Sequence, residues 1–447
     1  MQSEESGSWA DHLKATLRLA WPIVAGNLGQ ILIGVVDTLM IGRLGVVPLG
    51  AASFVNNIFV VPLVTLMGLL VSVTVLVAQA KGAADPRRVG RLLKHGLALA
   101  LALSTVAIAL LLVNASFLDR YGQEAEVVQA AGGYYWLISC SLFPALFYHC
   151  LKSGSEGMGW SNPPMLVLFG GIGLNVVLNW ILIFGELGAP ALGLEGAGWA
   201  TLVSRIAMAG GMMAFVMRAK RFRPYLPRRW FRNYELGEWK PLLRIGVPTA
   251  MQHLFEVGAF GGAGIIVGWL GAEALAAHQV AMSCAALAFM IPLGISIACG
   301  IRVGEAFGAG RPQAIRRIYL SGLLFTFFQT LVSASVFLLL GEWIAGFFVE
   351  NPSVVALAGR IFVVVGLFQI FDGAQVTCLG ALRGMSDVNL PVAITFVAYW
   401  LLALPSGYGF GFALGFGAPG VWMGLALGLL VAALALMLRL RLILPRS

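Results

Sequence analysis

Twelve long apolar runs leave this chain few folds to choose from. They lie near residues 17–41, 49–80, 91–113, 128–155, 163–185, 195–218, 241–269, 275–306, 316–340, 353–382, 388–412 and 418–442. A helix needs about 20 apolar residues to cross a bilayer, whereas a barrel strand needs about 10 and alternates in polarity. These runs are longer and apolar on most faces, so helices are expected. Charged residues make up 11% of the chain and hydrophobic ones 59%, where a soluble domain carries about 25% charged residues. The expected class is an all-α integral membrane protein of about twelve transmembrane helices. Residues 1–7 are polar and acidic, and the first run is too long for a signal-peptide core. No cleavable signal is expected.

The net charge of +9 does not point to nucleic acid, because the basic residues fall in alternate loops. Lys81, Arg87, Arg88, Arg91 and Lys94 follow the second run. Arg218, Lys220, Arg221, Arg223, Arg228, Arg229 and Arg232 follow the sixth. Arg311, Arg316 and Arg317 follow the eighth, and Arg439, Arg441 and Arg446 lie near the C-terminus. Basic loops stay in the cytoplasm, so both termini are expected there, in a multi-pass protein of the inner (plasma) membrane with anionic lipid as a surface partner. The five cysteines fall within the apolar runs without metal-binding spacing and read as packing thiols. No GxxxxGK[ST] phosphate loop is present, so ATP is not expected as a direct partner. No cofactor is expected, and neither HExxH nor a nucleophile elbow argues for an enzyme.

The chain repeats itself. Pro22 and Pro248 are 226 residues apart, and the same offset pairs Gly42 with Gly268, Gly45 with Gly271, Pro86 with Pro312 and Arg91 with Arg317. At an offset of 227, Gly157-Met158 pairs with Gly384-Met385 and Pro164 with Pro391. The expected halves are residues 1–218 and 241–447, six helices each, joined by a basic linker at 219–240. An even number of helices per half makes the repeats parallel, related by a pseudo-two-fold axis along the membrane normal. Carriers of this build move cargo between their halves.

The intramembrane carboxylates break the repeat. Asp37 aligns with Ala263, Glu256 with Gln30 and Asp372 with Ala145. A carboxylate inside a membrane helix costs about 2.5–3.5 kcal/mol on insertion scales, and such residues usually mark ion or substrate paths. Helical spacing puts Asn27, Gln30, Gly34 and Asp37 on one face, groups His253 with Glu256, aligns Gln369 with Asp372, and pairs Asn175 with Asn179. The sixth helix opens with Gly196-Ala197-Gly198-Trp199-Ala200-Thr201. Asp, Asn and Thr offer hard oxygen ligands, suited to Na⁺ or a shared proton. Asp37 with Asn179, and Glu256 with Asp372, are the candidate Na⁺ ligands. Gln30, His253 and Gln369 are candidates along the substrate path. Burial disfavours the charged form of a carboxyl group, so Glu256 or Asp372 could load a proton on one side and release it on the other.

At these residues the chain resembles the multidrug and toxic compound extrusion family, in its NorM-like bacterial branch. The motifs are Val36-Asp37-Thr38-Leu39-Met40-Ile41-Gly42-Arg43-Leu44-Gly45, Glu156-Gly157-Met158-Gly159, Asn175 with Asn179, Phe255-Glu256, Arg302-Val303-Gly304, and Asp372 with Gly380-Ala381-Leu382-Arg383-Gly384. The resemblance implies a V-shaped pair of six-helix lobes and export of cationic amphipathic compounds in exchange for Na⁺ or H⁺. It implies a first-lobe cation site at Asp37, Asn175, Asn179 and Thr201, and second-lobe acids at Glu256 and Asp372. The chain is expected to work as a monomer. The competing expectations are a lipid-linked saccharide flippase of the same superfamily and, from another class, a channel or membrane-embedded enzyme.

Overall fold

The computed structural model describes residues 9–227, 230 and 234–444. Arg228, Arg229, Arg232 and Arg446 of the basic segments, and the acidic start at 1–7, lie outside the described residues. All regular structure among the described residues is helical. Twelve helices are long and apolar enough to cross a membrane: α1 Trp9–Gly42, α2 Val46–Gly82, α3 Pro86–Ala115, α4 Ala125–Gly157, α5 Asn162–Phe184, α6 Leu194–Arg218, α7 Leu236–Gly268, α8 Ala272–Gly308, α9 Pro312–Gly346, α10 Pro352–Gly384, α11 Asn389–Ala413 and α12 Gly417–Ile443.

The repeat is visible in the helix ends. Shifted by 226, the end of α1, both ends of α2 and the start of α3 fall on the end of α7, both ends of α8 and the start of α9. The turns repeat too. Gly45 and Gly271 open α2 and α8 at φ 115° and 108°, a backbone conformation that side chains with a Cβ rarely adopt. Asp85 caps α3, its carboxylate accepting from the Arg88 amide at 2.9 Å, with Pro86 at the first helical position, where its missing N–H costs nothing. The fourth span is interrupted at Ser141, three residues before Pro144, whose ring removes a helical donor.

Several helices begin earlier than hydropathy suggests. α1 starts at Trp9 rather than near 17, because its first turns are amphipathic. His12, Thr16 and Ala20 are buried at four-residue spacing, while Asp11, Lys14 and Arg18 are exposed. α7 likewise starts at Leu236, with Glu238 buried.

By contacts the chain forms two compact units. One is Ala25–Ala250; the other combines Met1–Val24 with Met251–Ser447. The divisions fall just after Pro22 in α1 and just after Pro248 in α7. Within the second unit, the Arg302 guanidinium donates to the His12 carbonyl and the Thr16 hydroxyl, both at 2.6 Å. Within the first, Glu238 pairs with Arg91 at 3.1 Å and Arg88 at 3.7 Å, and the His95 imidazole accepts from the Glu235 amide at 3.0 Å. The core of the second unit gathers Phe362, Phe368, Tyr399 and Trp422, with the Trp422 indole donating to His278 at 3.1 Å.

Glycines let α8 and α10 touch backbone to backbone. A Cβ on Gly380 would stand 2.3 Å from the Ser296 carbonyl oxygen, and one on Gly300 would stand 2.7 Å from the Gly380 carbonyl oxygen. Small residues serve this purpose in membrane helices, where lipid supplies no hydrophobic drive for association. Gly380→Val therefore forces the two helices apart. Overpacking of this kind costs about 1–3 kcal/mol, and a fall in the unfolding temperature of the purified protein in detergent will measure it.

Candidate functional site

Asp37 lies late in α1, on the wall of a cavity of about 690 Å³ inside the first unit. Its carboxylate accepts a hydrogen bond at 2.5 Å from the Asn179 amide on α5. The same amide donates to Asn175 Oδ1, one turn earlier, at 3.2 Å. Four-residue spacing on α5 creates this pair, and both asparagines are buried. Asn179 Oδ1 is buried without a hydrogen-bond partner. Such an atom is costly unless something donates to it or a cation meets it. Thr201, at the start of α6, and Gln30 line the same cavity. An added Cβ at Gly34 would meet nothing within 4 Å, so the turn of α1 before Asp37 borders open space.

The rest of the wall is mainly apolar, with Phe59, Leu63, Met67, Tyr134 and Met208 among its residues. Methionine side chains adapt to irregular shapes, and aromatic faces attract cations. Arg205 also lines the cavity. Its guanidinium donates to the Ser141 hydroxyl at 2.6 Å and lies over the Phe59 ring at 5.2 Å. Its charge also acts on Asp37. Arg205 and His149, both outside the expected set, share the cavity with Asp37.

The second-half acids form a separate cluster within the other unit. Glu256 on α7 and Asp372 on α10 lie close enough for their charges to interact. The Arg383 guanidinium acts electrostatically on both Glu256 and His253, and donates to Gln252 Oε1 at 2.9 Å. Gln369 shares a helix face with Asp372, but its amide donates to the Ala285 carbonyl at 3.3 Å. Gln375 accepts from the Tyr399 hydroxyl at 3.0 Å. Tyr399 sits in a π-helical stretch of α11, Val397–Ala403. One extra residue per turn there changes which side chains face α10, and such bulges recur at functional sites.

Arg383 and Tyr399 were not among the expected site residues. Arg383 lies in a quoted motif, and its charge in an apolar run was the available signal. Tyr399 had none, because a lone tyrosine in an apolar helix is ordinary and sequence does not reveal the π stretch.

The oxygens around Asp37 suit a hard monovalent cation or a proton. Among the described residues, no group of three or more His, Cys, Asp or Glu side chains is placed to hold a metal ion. Any ion at Asp37 would therefore rest mainly on amide and hydroxyl oxygens.

The family model described as MatE matches residues 22–181 and 248–409, two stretches whose starts are 226 residues apart. The chain is 35% identical to a probable multidrug resistance protein NorM of Mesorhizobium japonicum, over 89% of this chain and 87% of that protein. It is 34% identical to the multidrug resistance protein PmpM of Pseudomonas aeruginosa, over 89% and 83%. A crystal structure of a MATE protein in complex with MaL6 superposes with a TM-score of 0.89, at 24% identity, over 96% of each chain.

The Tyr399 bond gives a direct test of the second cluster. Tyr399→Phe leaves the buried Gln375 Oε1 without its donor, a loss of about 1–3 kcal/mol. The unfolding temperature will fall, and part of the loss will return in the double variant Tyr399→Phe/Gln375→Leu.

Proposed function

Because the chain belongs to the NorM-like branch of the multidrug and toxic compound extrusion (MATE) family of transporters, we propose that it exports cationic amphipathic compounds in exchange for Na⁺ or H⁺. One observation carries this reading: a carboxylate, bonded to the buried Asn179 amide that in turn bonds Asn175, on the mainly apolar wall of a drug-sized cavity. Pockets for small organic ligands usually measure about 300–1,000 Å³.

The chemistry follows from charge. An ionised Asp37 offers one negative charge beside apolar and aromatic surface, which suits a flat organic cation. A proton or Na⁺ neutralises that charge, with Asn175, Asn179 and Thr201 supplying the further oxygens for Na⁺. Both occupants need the same carboxylate, so each displaces the other, and that competition is the basis of exchange. Glu256 and Asp372 form a second cation-coupling site, with Na⁺ or H⁺ as its ion. Arg383 restrains their charge, and His253 lies on the path beside them.

One charge crossing 100 mV supplies about 2.3 kcal/mol, enough to bias a two-state carrier, and the gradient of Na⁺ or H⁺ adds to it. ATP and nucleic acid take no part. The chain works as a monomer in the inner membrane with both termini in the cytoplasm, and the two repeats, 1–218 and 241–447, alternate access to the cargo.

A lipid-linked saccharide flippase is the second reading. Arg205 and Arg383 favour it, because such carriers meet phosphate with basic side chains. Proteoliposomes loaded with ethidium, under Na⁺ and H⁺ gradients imposed separately, decide between the two. Gradient-driven dye movement is expected, and its absence under both gradients contradicts export of organic cations. Asp37→Asn is expected to reduce that movement at least about tenfold, the effect of losing roughly 1.4 kcal/mol, with insertion and folding unchanged. Glu256→Gln and Asp372→Asn are expected to alter the response to the two ions.

A further inference from the structure

Arg383 stands in the last turn of α10 and is only 7% exposed. Its guanidinium donates to Gln252 Oε1 on α7 at 2.9 Å. The Arg383 Nε–H and the Gln252 amide nitrogen are both buried without a hydrogen-bond partner. A buried donor left in this way is costly, so the pair is incompletely satisfied where it rests. Glu256 follows Gln252 by one turn on the same face of α7 and is half-buried. Its charge acts on Arg383. The guanidinium is nevertheless bonded to the amide and not to the acid.

The repeat confines this group to one half. At the offset of 226, Gln252 corresponds to Gly26 and Glu256 to Gln30; at 227, Asp372 corresponds to Ala145 and Arg383 to Glu156. None of the four is shared. Glu156 has an opposite charge one turn back on its own helix, Lys152, at 3.8 Å. The matching position before Arg383 is Leu379, buried in an apolar cluster. Arg383 therefore has no such partner on α10 and is met from α7 instead. Its backbone is closely held. A Cβ on Gly384 would stand 2.6 Å from the Gly300 carbonyl oxygen, and one on Gly380 would stand 2.3 Å from that of Ser296. With α10 pressed against α8, a change of partner falls to the arginine's own side-chain torsions.

We infer that Arg383 is a tethered competitor for the cation at Glu256, and that Gln252 is the positioning residue that holds it off. This role rests on the reading of Glu256 and Asp372 as a cation-coupling site. With Arg383 on Gln252, the two acids are open to a monovalent cation. Gln369 Oε1, buried without a donor one turn before Asp372, is a further oxygen for that ion. With Arg383 turned along α7, its guanidinium takes the ion's place on Glu256. An arginine bond to a carboxylate is strong, so without Gln252 the guanidinium has Glu256 as its charged acceptor on that face. Two acids and one arginine carry one net negative charge, which suits one monovalent cation and not two.

Equilibrium binding of radioactive Na⁺ to the purified full-length protein, at alkaline pH where protons compete least, tests this role. Asp37→Asn is the common background, so that the second site reports alone. Glu256→Gln leaves that site without net charge and is expected to abolish binding. Gln252→Leu releases Arg383 and is expected to weaken binding about tenfold, the effect of losing a charge-assisted hydrogen bond. Arg383→Gln is expected to strengthen binding about tenfold, and Gln252→Leu/Arg383→Gln to match Arg383→Gln. A Gln252 that only supported the packing would weaken binding with or without the arginine. Gln252→Met repeats the test with an unbranched side chain, and unfolding temperatures without Na⁺ establish that each variant is folded. Binding that is absent, or that survives Glu256→Gln, overturns both the ion site and the role of Arg383. Binding lost in Glu256→Gln but unchanged in Gln252→Leu, or weakened equally by Gln252→Leu when Arg383 is already replaced, overturns the role of Arg383 alone.

Discussion

A carboxylate within a membrane helix has to be kept from lipid, and much of this molecule follows from that requirement. Asp37 meets it with the Asn179 amide from α5, itself bonded to Asn175, and an arginine across the same cavity. Each partner comes from a helix that must be held at a fixed distance from α1. Removing one partner of a buried charge is expensive, so the packing that positions α5 and α6 is bound to the chemistry at Asp37. The asparagines are short and held by one another. They tie the carboxylate to α5 while it still lines the cavity.

The duplicated scaffold explains where this chemistry can vary. Helix ends, turn glycines and proline positions repeat between the halves, because they set how the backbone packs. The carboxylates within the membrane-length helices do not repeat. Asp37 has Ala263 as its counterpart, and that alanine is fully buried in the core of the second unit. Asp372 has Ala145, which lines the first unit's cavity. Arg316 has Gly90, where the chain's own backbone leaves no room for a side chain. The two halves share one architecture but divide the polar work between them.

Much of the fold was legible in the sequence. Twelve apolar runs and an ungapped offset of 226 are strong patterns, since each helix must span the bilayer and each copy must pack alike. The starts of α1 and α7 were not legible. The turns holding His12 and Thr16, or Glu238, are amphipathic and bury polar groups against arginines, which hydropathy reads as loop. Around the acids, same-helix spacing brought out Asn175 with Asn179. It did not bring out the hydrogen bond from Asn179 to Asp37, 142 residues away in sequence. Arg205, Arg383 and Tyr399 were missed as neighbours because tertiary packing, and a π-helical stretch in α11, place them there.

The central claim is that one carboxylate serves ion and cargo in turn. Equilibrium binding of a fluorescent organic cation to the purified protein, titrated with Na⁺ and with protons, tests it most directly. The account predicts competition: rising ion concentration weakens dye binding without changing its maximum, and the effect disappears when Asp37 is replaced. Dye and ion bound together at full occupancy, each indifferent to the other, would contradict it.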